Sequence, residues 1–262
     1  MTAEARLHVE SVGEGPAVLW IHGYTMDATI WRELWALLPR MRHVGIDLPG
    51  HGRSGSLDPA LTLPELAGQV AAVARTWRAR RIVALSFGCC VALQVAMDHP
   101  ELVDRLVVGA PAVGGAPAEP GTARRHRELM LLARMGARPD QLAELWMRSP
   151  PDIFQGTERH PELRAALRAV IARHSWAELA TGGMARLTSW AQPAEALAAI
   201  AARTLVVIGS EDMPTFAANA SLLADRVADC AVLRVPNAGH LCLIERPGEV
   251  AGPIASHLAA DA

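Results

Sequence analysis

Short apolar runs alternating with longer stretches of helical periodicity predict an α/β domain built on a mostly parallel sheet. Two further observations shape that prediction. The strand-like runs vanish between about residue 114 and residue 196, which places a helical insertion inside the sheet domain. Apolar residues make up 51% of the chain against 20% charged, so it is globular and not disordered. At 262 residues it is long enough for one well-buried domain with an inserted subdomain.

Taken in order, Arg6 to Ser11 alternates apolar and polar residues and reads as one leading strand. Val18-Leu19-Trp20-Ile21 is apolar throughout, as in a strand covered on both faces. A helix is expected from Trp31 to Leu38, then a strand at His43–Ile46. Leu63 to Trp77 has helical spacing, with Thr62 as N-cap before Pro64. A strand at Arg81–Leu85 leads into a helix from Gly88 to Asp98, which His99-Pro100 ends. Leu106–Val108 is the next strand. Arg124–Arg134, Gln141–Met147 and Pro161–Arg173 then read as helices, punctuated by Pro150-Pro151 and Gly182-Gly183. Strands resume at Thr204–Ile208 and Ala231–Val235, and a last helix follows Pro247. This divides the chain into a core domain, 1–113 with 197–262, and a helical cap subdomain, 114–196. A single strand before Val18 implies seven to eight strands, one of them antiparallel near the N-terminus.

Composition excludes several chemistries. All 25 basic residues are arginine, which removes Schiff-base lysines, pyridoxal phosphate anchoring and a P-loop lysine together. Net charge is −2 without a basic stripe, so nucleic acid is not an expected partner. Cys89, Cys90, Cys230 and Cys242 have no metal-ligand spacing, and no metal or cofactor is expected. Cys89 and Cys90 read as small buried helix residues. The longest apolar stretch, Val83 to Met97, is interrupted by Ser86 and Gln94 and is too short to span a bilayer. Met1–Arg6 lacks the pattern of a secretory leader, so a cytoplasmic protein with reduced thiols and no membrane partner is expected. The oligomeric state is not legible.

The sharpest local signal is Ala84-Leu85-Ser86-Phe87-Gly88, between a strand and a helix. Such a turn exposes the serine and packs strand tightly on helix, so the residues two before and two after must be small. Serine needs a base to become a nucleophile, and the base needs an orienting acid. Gly209-Ser210-Glu211-Asp212 and Asn237-Ala238-Gly239-His240 each follow a buried strand, at the sheet edge where open α/β sheets bind ligands. Upstream, His22-Gly23-Tyr24-Thr25 ends another strand, and Asp47-Leu48-Pro49-Gly50-His51-Gly52-Arg53-Ser54 forms a glycine-rich loop.

These motifs resemble those of the α/β-hydrolase superfamily, from Val18 to His240. The elbow resembles G-x-S-x-G with alanine at the first position, and the family order is serine, acid, histidine. The resemblance implies an α/β-hydrolase fold with Ser86 as nucleophile, His240 as base and Asp212, in preference to its neighbour Glu211, as acid. It also implies an oxyanion hole made by the backbone N–H groups of Tyr24 and Phe87. The Asp47–Ser54 loop is structural in the family, so Asp47 and His51 are not catalytic candidates, and His22 is expected to be scaffold. The Tyr24 ring either touches substrate or only packs. Trp146 and Trp190 are expected substrate contacts from the cap, where Phe154 and Trp176 also lie. Arg124, Arg125, Arg127 and Arg134 form either a carboxylate anchor or a solvated face.

A serine nucleophile separates the chain from the aspartate-nucleophile haloalkane dehalogenases and epoxide hydrolases. The loop after Gly23 also lacks the G-x-G-P-G of carbon–carbon bond hydrolases. The expected reaction is cleavage of a small-molecule ester or lactone through an acyl-enzyme, most like the 3-oxoadipate enol-lactonases and related carboxylesterases. Alternatives are a thioesterase or acyltransferase acting on carrier-bound acyl groups, and a non-hydrolytic ligand-binding member of the fold.

Overall fold

A computed structural model describes residues 7–259; Met1–Arg6, including the start of the first expected strand, lie outside them. Strand β1 (His8–Val12) is followed by β2 (Ala17–Ile21), a 3₁₀ turn at Ala28–Trp31, α1 (Arg32–Ala36) and β3 (Arg42–Asp47). Then come α2 (Leu63–Trp77), β4 (Arg81–Leu85), α3 (Phe87–Asp98) and β5 (Arg105–Gly109). The expected helix from Trp31 to Leu38 is thus shorter than its apolar pattern suggested, with a 3₁₀ start. Helix α2 matches its expected span. The Thr62 hydroxyl accepts from Glu65 N–H, and the Glu65 carboxylate accepts from Thr62 N–H at 2.8 Å, a reciprocal cap.

Between β5 and the next strand the described chain forms only helices: α4 (Pro120–Arg134), α5 (Pro139–Trp146), a 3₁₀ segment at Asp152–Arg159, α6 (Pro161–Ile171), α7 (Glu178–Thr181), α8 (Gly183–Ser189) and α9 (Ala194–Ala198). The sheet resumes with β6 (Arg203–Gly209), followed by α10 (Pro214–Arg226), β7 (Cys230–Val235), α11 (Cys242–Glu245) and α12 (Pro247–Leu258).

The seven strands lie in the order β1-β3-β2-β4-β5-β6-β7, with β1 antiparallel to β3 and the other pairs parallel. Side chains on alternate positions enter different cores. Leu19, Ile21, Ile82, Ala84 and Val108 pack with α2 and α3, whereas Val18, Trp20, Val83, Leu85 and Val107 pack with α1 and α12. Both faces being covered, the central strands are apolar without alternation, which is what made them legible. From β2 the chain steps to β3 on one side and later to β4 on the other. The crevice beyond the carboxyl ends of β2 and β4 is therefore a topological switch point, where this class of sheet binds ligands.

Candidate active site

Ser86 sits at that crevice, in the turn from β4 to α3, with φ 53° and ψ −121°. A non-glycine residue held there stores roughly 1–3 kcal/mol of strain, which the flanking packing must sustain. The Ser86 N–H is fixed on the Gly109 carbonyl at 2.9 Å. Two residues on, a Cβ at Gly88 would lie 2.6 Å from both the Ile21 and His22 carbonyl oxygens, so only glycine lets α3 approach β2. Ala84 at the other small position is fully buried within the sheet, where its methyl is accommodated.

The carboxyl ends of β6 and β7 supply the partners. His240 Nδ1–H donates to Asp212 Oδ1 at 3.0 Å, which leaves Nε2 to accept the Ser86 O–H at 2.8 Å. Asp212 Oδ1 also accepts from Met213 N–H at 2.7 Å, and both the imidazole and the carboxylate are buried. Glu211 is instead half-exposed and pairs with Arg159 at 2.8 Å, which assigns the contact with His240 to Asp212. The Phe216 ring packs on the His240 ring with centroids 4.1 Å apart.

The histidine loop has a support that sequence inspection missed. Glu245 is buried, and its carboxylate accepts from Gly239 N–H at 2.7 Å and Leu241 N–H at 3.0 Å, the amides on either side of His240. Gly156 lies so close above that carboxylate that any Cβ there would collide with it. An acid at the end of the apolar run Leu241-Cys242-Leu243-Ile244 was the available signal.

Across the crevice, Gly23 passes so near Ser86 that a Cβ there would stand 3.4 Å from the serine's own. The N–H groups of Tyr24 and Phe87 have no acceptor among the described residues, and both residues line the cavity containing Ser86. His22 is scaffold. Its Nε2 accepts from Leu48 N–H at 3.0 Å, so Nδ1 carries the proton and donates to the Gly23 carbonyl at 2.8 Å. Burial lowers its pKa below the ordinary imidazole range. The Asp47 carboxylate accepts from the N–H groups of Ala28 and Arg53, each at 2.9 Å, holding two loops together. Burial, reinforced by His174 and His22, lowers His51 well below its usual range, and its Nδ1 donates to the Pro49 carbonyl.

The cavity at Ser86 has a volume of about 390 Å³ and a mostly apolar wall that includes Met26, Phe87, Ile153, Met184, Phe216 and Leu241. Tyr24 both lines it and packs. Its hydroxyl donates to Glu178 Oε1 at 2.6 Å, and its ring meets those of His51, Trp146, His174 and Trp176 edge-on. Burial, then Glu178, raises the Tyr24 pKa well above the usual phenol range. Trp146 also lines the cavity, and its indole N–H donates to Thr25 Oγ1 at 2.9 Å.

Trp190 requires a correction. Helix α8 buries Gly183, Met184 and Leu187, and Trp190 follows it in extended conformation, 40% exposed and outside the cavity wall. Phe154 and Trp176 are buried packing residues, also outside that wall. None of the four arginines reaches the cavity. Arg125 is turned onto the carbonyls of Leu145, Arg148 and Pro150, Arg124 pairs with Glu128, and Arg127 and Arg134 are exposed. Cys89 and Cys90 are buried, and burial pushes the Cys90 thiol up to about 12. Among the described residues, no cluster of His, Cys, Asp and Glu is placed to hold a metal ion, and no helix is long and apolar enough to cross a membrane.

Sheet order, the strained turn at Ser86 and the serine–histidine–carboxylate chain across three strand ends define the class. The chain belongs to the alpha/beta hydrolase family, whose model matches residues 18–252. It is 29% identical over 252 residues to 2-succinyl-6-hydroxy-2,4-cyclohexadiene-1-carboxylate synthase from Enterobacter sp., covering 93% of this chain and 92% of the relative. It is 26% identical to pimeloyl-[acyl-carrier protein] methyl ester esterase from Xanthomonas campestris, covering 97% and 99%. Among solved structures, the enol-lactonase from Burkholderia xenovorans shares the fold with a TM-score of 0.80 at 21% identity, covering 96% of each chain.

Proposed function

We propose that the protein hydrolyses a carboxylic ester or lactone through an acyl-enzyme on Ser86. The observation that carries this reading is the chain Ser86 Oγ to His240 Nε2 at 2.8 Å and His240 Nδ1 to Asp212 at 3.0 Å, opening on an apolar cavity. Ser86 Oγ attacks the carbonyl carbon while His240 Nε2 takes its proton, and Asp212 stabilises the imidazolium. The oxyanion accepts from the N–H groups of Tyr24 and Phe87. Collapse breaks the carbon–oxygen bond and returns the proton to the departing alkoxide, which remains tethered in a lactone. Water then attacks the acyl-enzyme, giving its proton to His240, which passes it back to Ser86 as the acid leaves.

Residues 114–196 serve as the cap over this site. Helix α4, α5 and α8 contribute Thr122, Trp146 and Met184 to the cavity wall, which favours small to medium apolar groups and shields the acyl-enzyme. The esterase among the relatives and the enol-lactonase among the fold neighbours are consistent with acyl chemistry. A panel of short aryl esters, lactones and acyl thioesters, tested on wild type and Ser86→Ala with a fluorophosphonate probe, decides the matter. Turnover and labelling in wild type alone support the reading; labelling that persists in Ser86→Ala places the nucleophile elsewhere.

A further inference from the structure

Among the described residues, every polar side chain in the cavity wall has a partner within the protein except two. The Ser86 hydroxyl is on His240, the Tyr24 phenol on Glu178, the Trp146 indole on Thr25 and the Thr188 hydroxyl on the Met184 carbonyl. Thr122 and His126 line the same cavity, and among the described residues neither side chain makes a hydrogen bond. They are four residues apart on α4, so they share one face of the helix on successive turns. The half-buried His126 imidazole and the Thr122 hydroxyl thus keep their donors and acceptors free for a ligand in the cavity.

Resting on the esterase reading, we infer that His126, with Thr122 one turn before it, is the specificity-determining element of the site. The pair hydrogen-bonds one uncharged oxygen group, a hydroxyl or ketone, on a substrate whose remaining body is apolar. The wall itself supports the choice of an uncharged group. Among the described residues no arginine lines it, the chain has no lysine, and Arg125 on the same helix is spent on backbone carbonyls. Burial holds the His126 imidazole below its ordinary range, against the opposing pull of Glu178, which favours the neutral ring over a cation that would meet a carboxylate. Neutral imidazole has one donor and one acceptor nitrogen, and the threonine hydroxyl has both functions, so the pair accommodates either a hydroxyl or a ketone.

The test uses para-nitrophenyl hexanoate, its keto and hydroxy derivatives, and the mono-para-nitrophenyl ester of adipic acid. Wild type should favour a keto or hydroxy ester over plain hexanoate by about tenfold in kcat/KM, the size of one net hydrogen bond. The advantage should lie in KM, and the adipate ester should be the poorest substrate. In His126→Leu the ratio should fall toward one through a rise in KM for the oxygenated ester, with His126→Gln restoring part of it and Thr122→Val losing part. Thermal melts identify any variant that misfolds, and the ratio is then read from the other two. A ratio that survives in His126→Leu or in both other variants, absence of any preference in wild type, or preference for the adipate ester overturns the inference. Wild type that is labelled by the probe and cleaves hexanoate without discrimination overturns this inference alone. Failure of both labelling and all ester turnover overturns the esterase reading and this one with it.

Discussion

The phenol of Tyr24 donates to Glu178 Oε1 at 2.6 Å, joining the loop after β2 to the start of α7 across 154 residues of chain. Two further contacts bind the same loop to the helical segment: Trp146 Nε1 to Thr25 Oγ1 at 2.9 Å, and Arg173 Nη2 to Asp27 Oδ2 at 3.0 Å. The loop that carries a proposed oxyanion donor is therefore shaped by residues distant in sequence. Thr25 itself is held at φ 64°, in the left-handed region.

Tyr24→Phe removes the phenol and leaves the buried Glu178 carboxylate with His174 as its remaining side-chain partner. Losing one hydrogen bond to a buried charge should cost about 1–3 kcal/mol, seen as a lower melting temperature. The proposed oxyanion donor is the backbone N–H, so kcat should fall far less than in Ser86→Ala. A collapse of kcat would give the phenol itself a part in the chemistry.

Glu178 also sets a pH dependence of stability. Burial raises its pKa, but the hydrogen bond and charge of His174 and the hydrogen bond of Tyr24 outweigh it and hold the carboxyl below the usual range. A carboxyl lowered in the folded state contributes stability above its unfolded pKa and loses it as pH falls through the folded value. Glu178→Gln should be less stable than wild type at neutral pH yet show a shallower loss on acidification. Parallel stability curves for the two proteins from neutral to acid pH would contradict this.

At Ser86, conformation and chemistry can be separated. Ser86→Ala should lose several orders of magnitude of turnover, since members of a triad act as a unit. Its stability should barely move, because alanine keeps the strained φ of 53°. Ser86→Gly should be equally inactive but more stable than Ser86→Ala by about 1 kcal/mol, since glycine adopts positive φ freely. Equal stability of the two variants would mean that the turn is not strained.

The sheet was legible because its central strands are covered on both faces and read as uninterrupted apolar runs, such as Ala17–Ile21 and, within β5, Leu106–Val108. Ser86 follows β4 directly, and Asp212 and His240 follow β6 and β7 within a few residues, so strand ends placed them together. What stayed hidden depends on how the chain folds around a residue, which its local pattern does not show. Glu245 looks like any surface acid until the loop folds over it, and His126 looks like one polar residue among the arginines of α4. Trp190 misled for the same reason: aromatic character shows that a side chain prefers burial, whereas the turn after α8 decides which way it faces.

Glu245 should act as a positioning residue for His240. Glu245→Ala leaves the buried N–H groups of Gly239 and Leu241 unpaired, at about 1–3 kcal/mol each. The loop then loses the two contacts that flank the imidazole, so kcat should fall with little change in KM. Glu245→Gln keeps one acceptor oxygen and should lie between the two in both melting temperature and kcat. A variant that melts early but keeps wild-type kcat at low temperature would restrict Glu245 to stability.

Selectivity should separate the two tryptophans of the helical segment. Trp146 is 3% exposed, lines the cavity, meets Tyr24 edge-on at 5.5 Å and holds Thr25 through its indole N–H. Trp146→Ala therefore enlarges the site, frees the loop that carries Tyr24 and opens a hole in the core, so it should cost about 3–5 kcal/mol of stability. Esters with bulkier acyl groups should gain in rank relative to short ones, because the removed ring is part of the wall. Trp190, 40% exposed beyond the end of α8, touches none of this. Trp190→Ala should leave the substrate ranking as in wild type and change stability by no more than about 0.5 kcal/mol. The measurement is kcat/KM across a graded series of aryl esters, with melts on the same samples. An unchanged ranking in Trp146→Ala would show that the wall it supplies does not meet the acyl group, and would move selectivity to other residues of the cavity wall such as Phe216 and Met26.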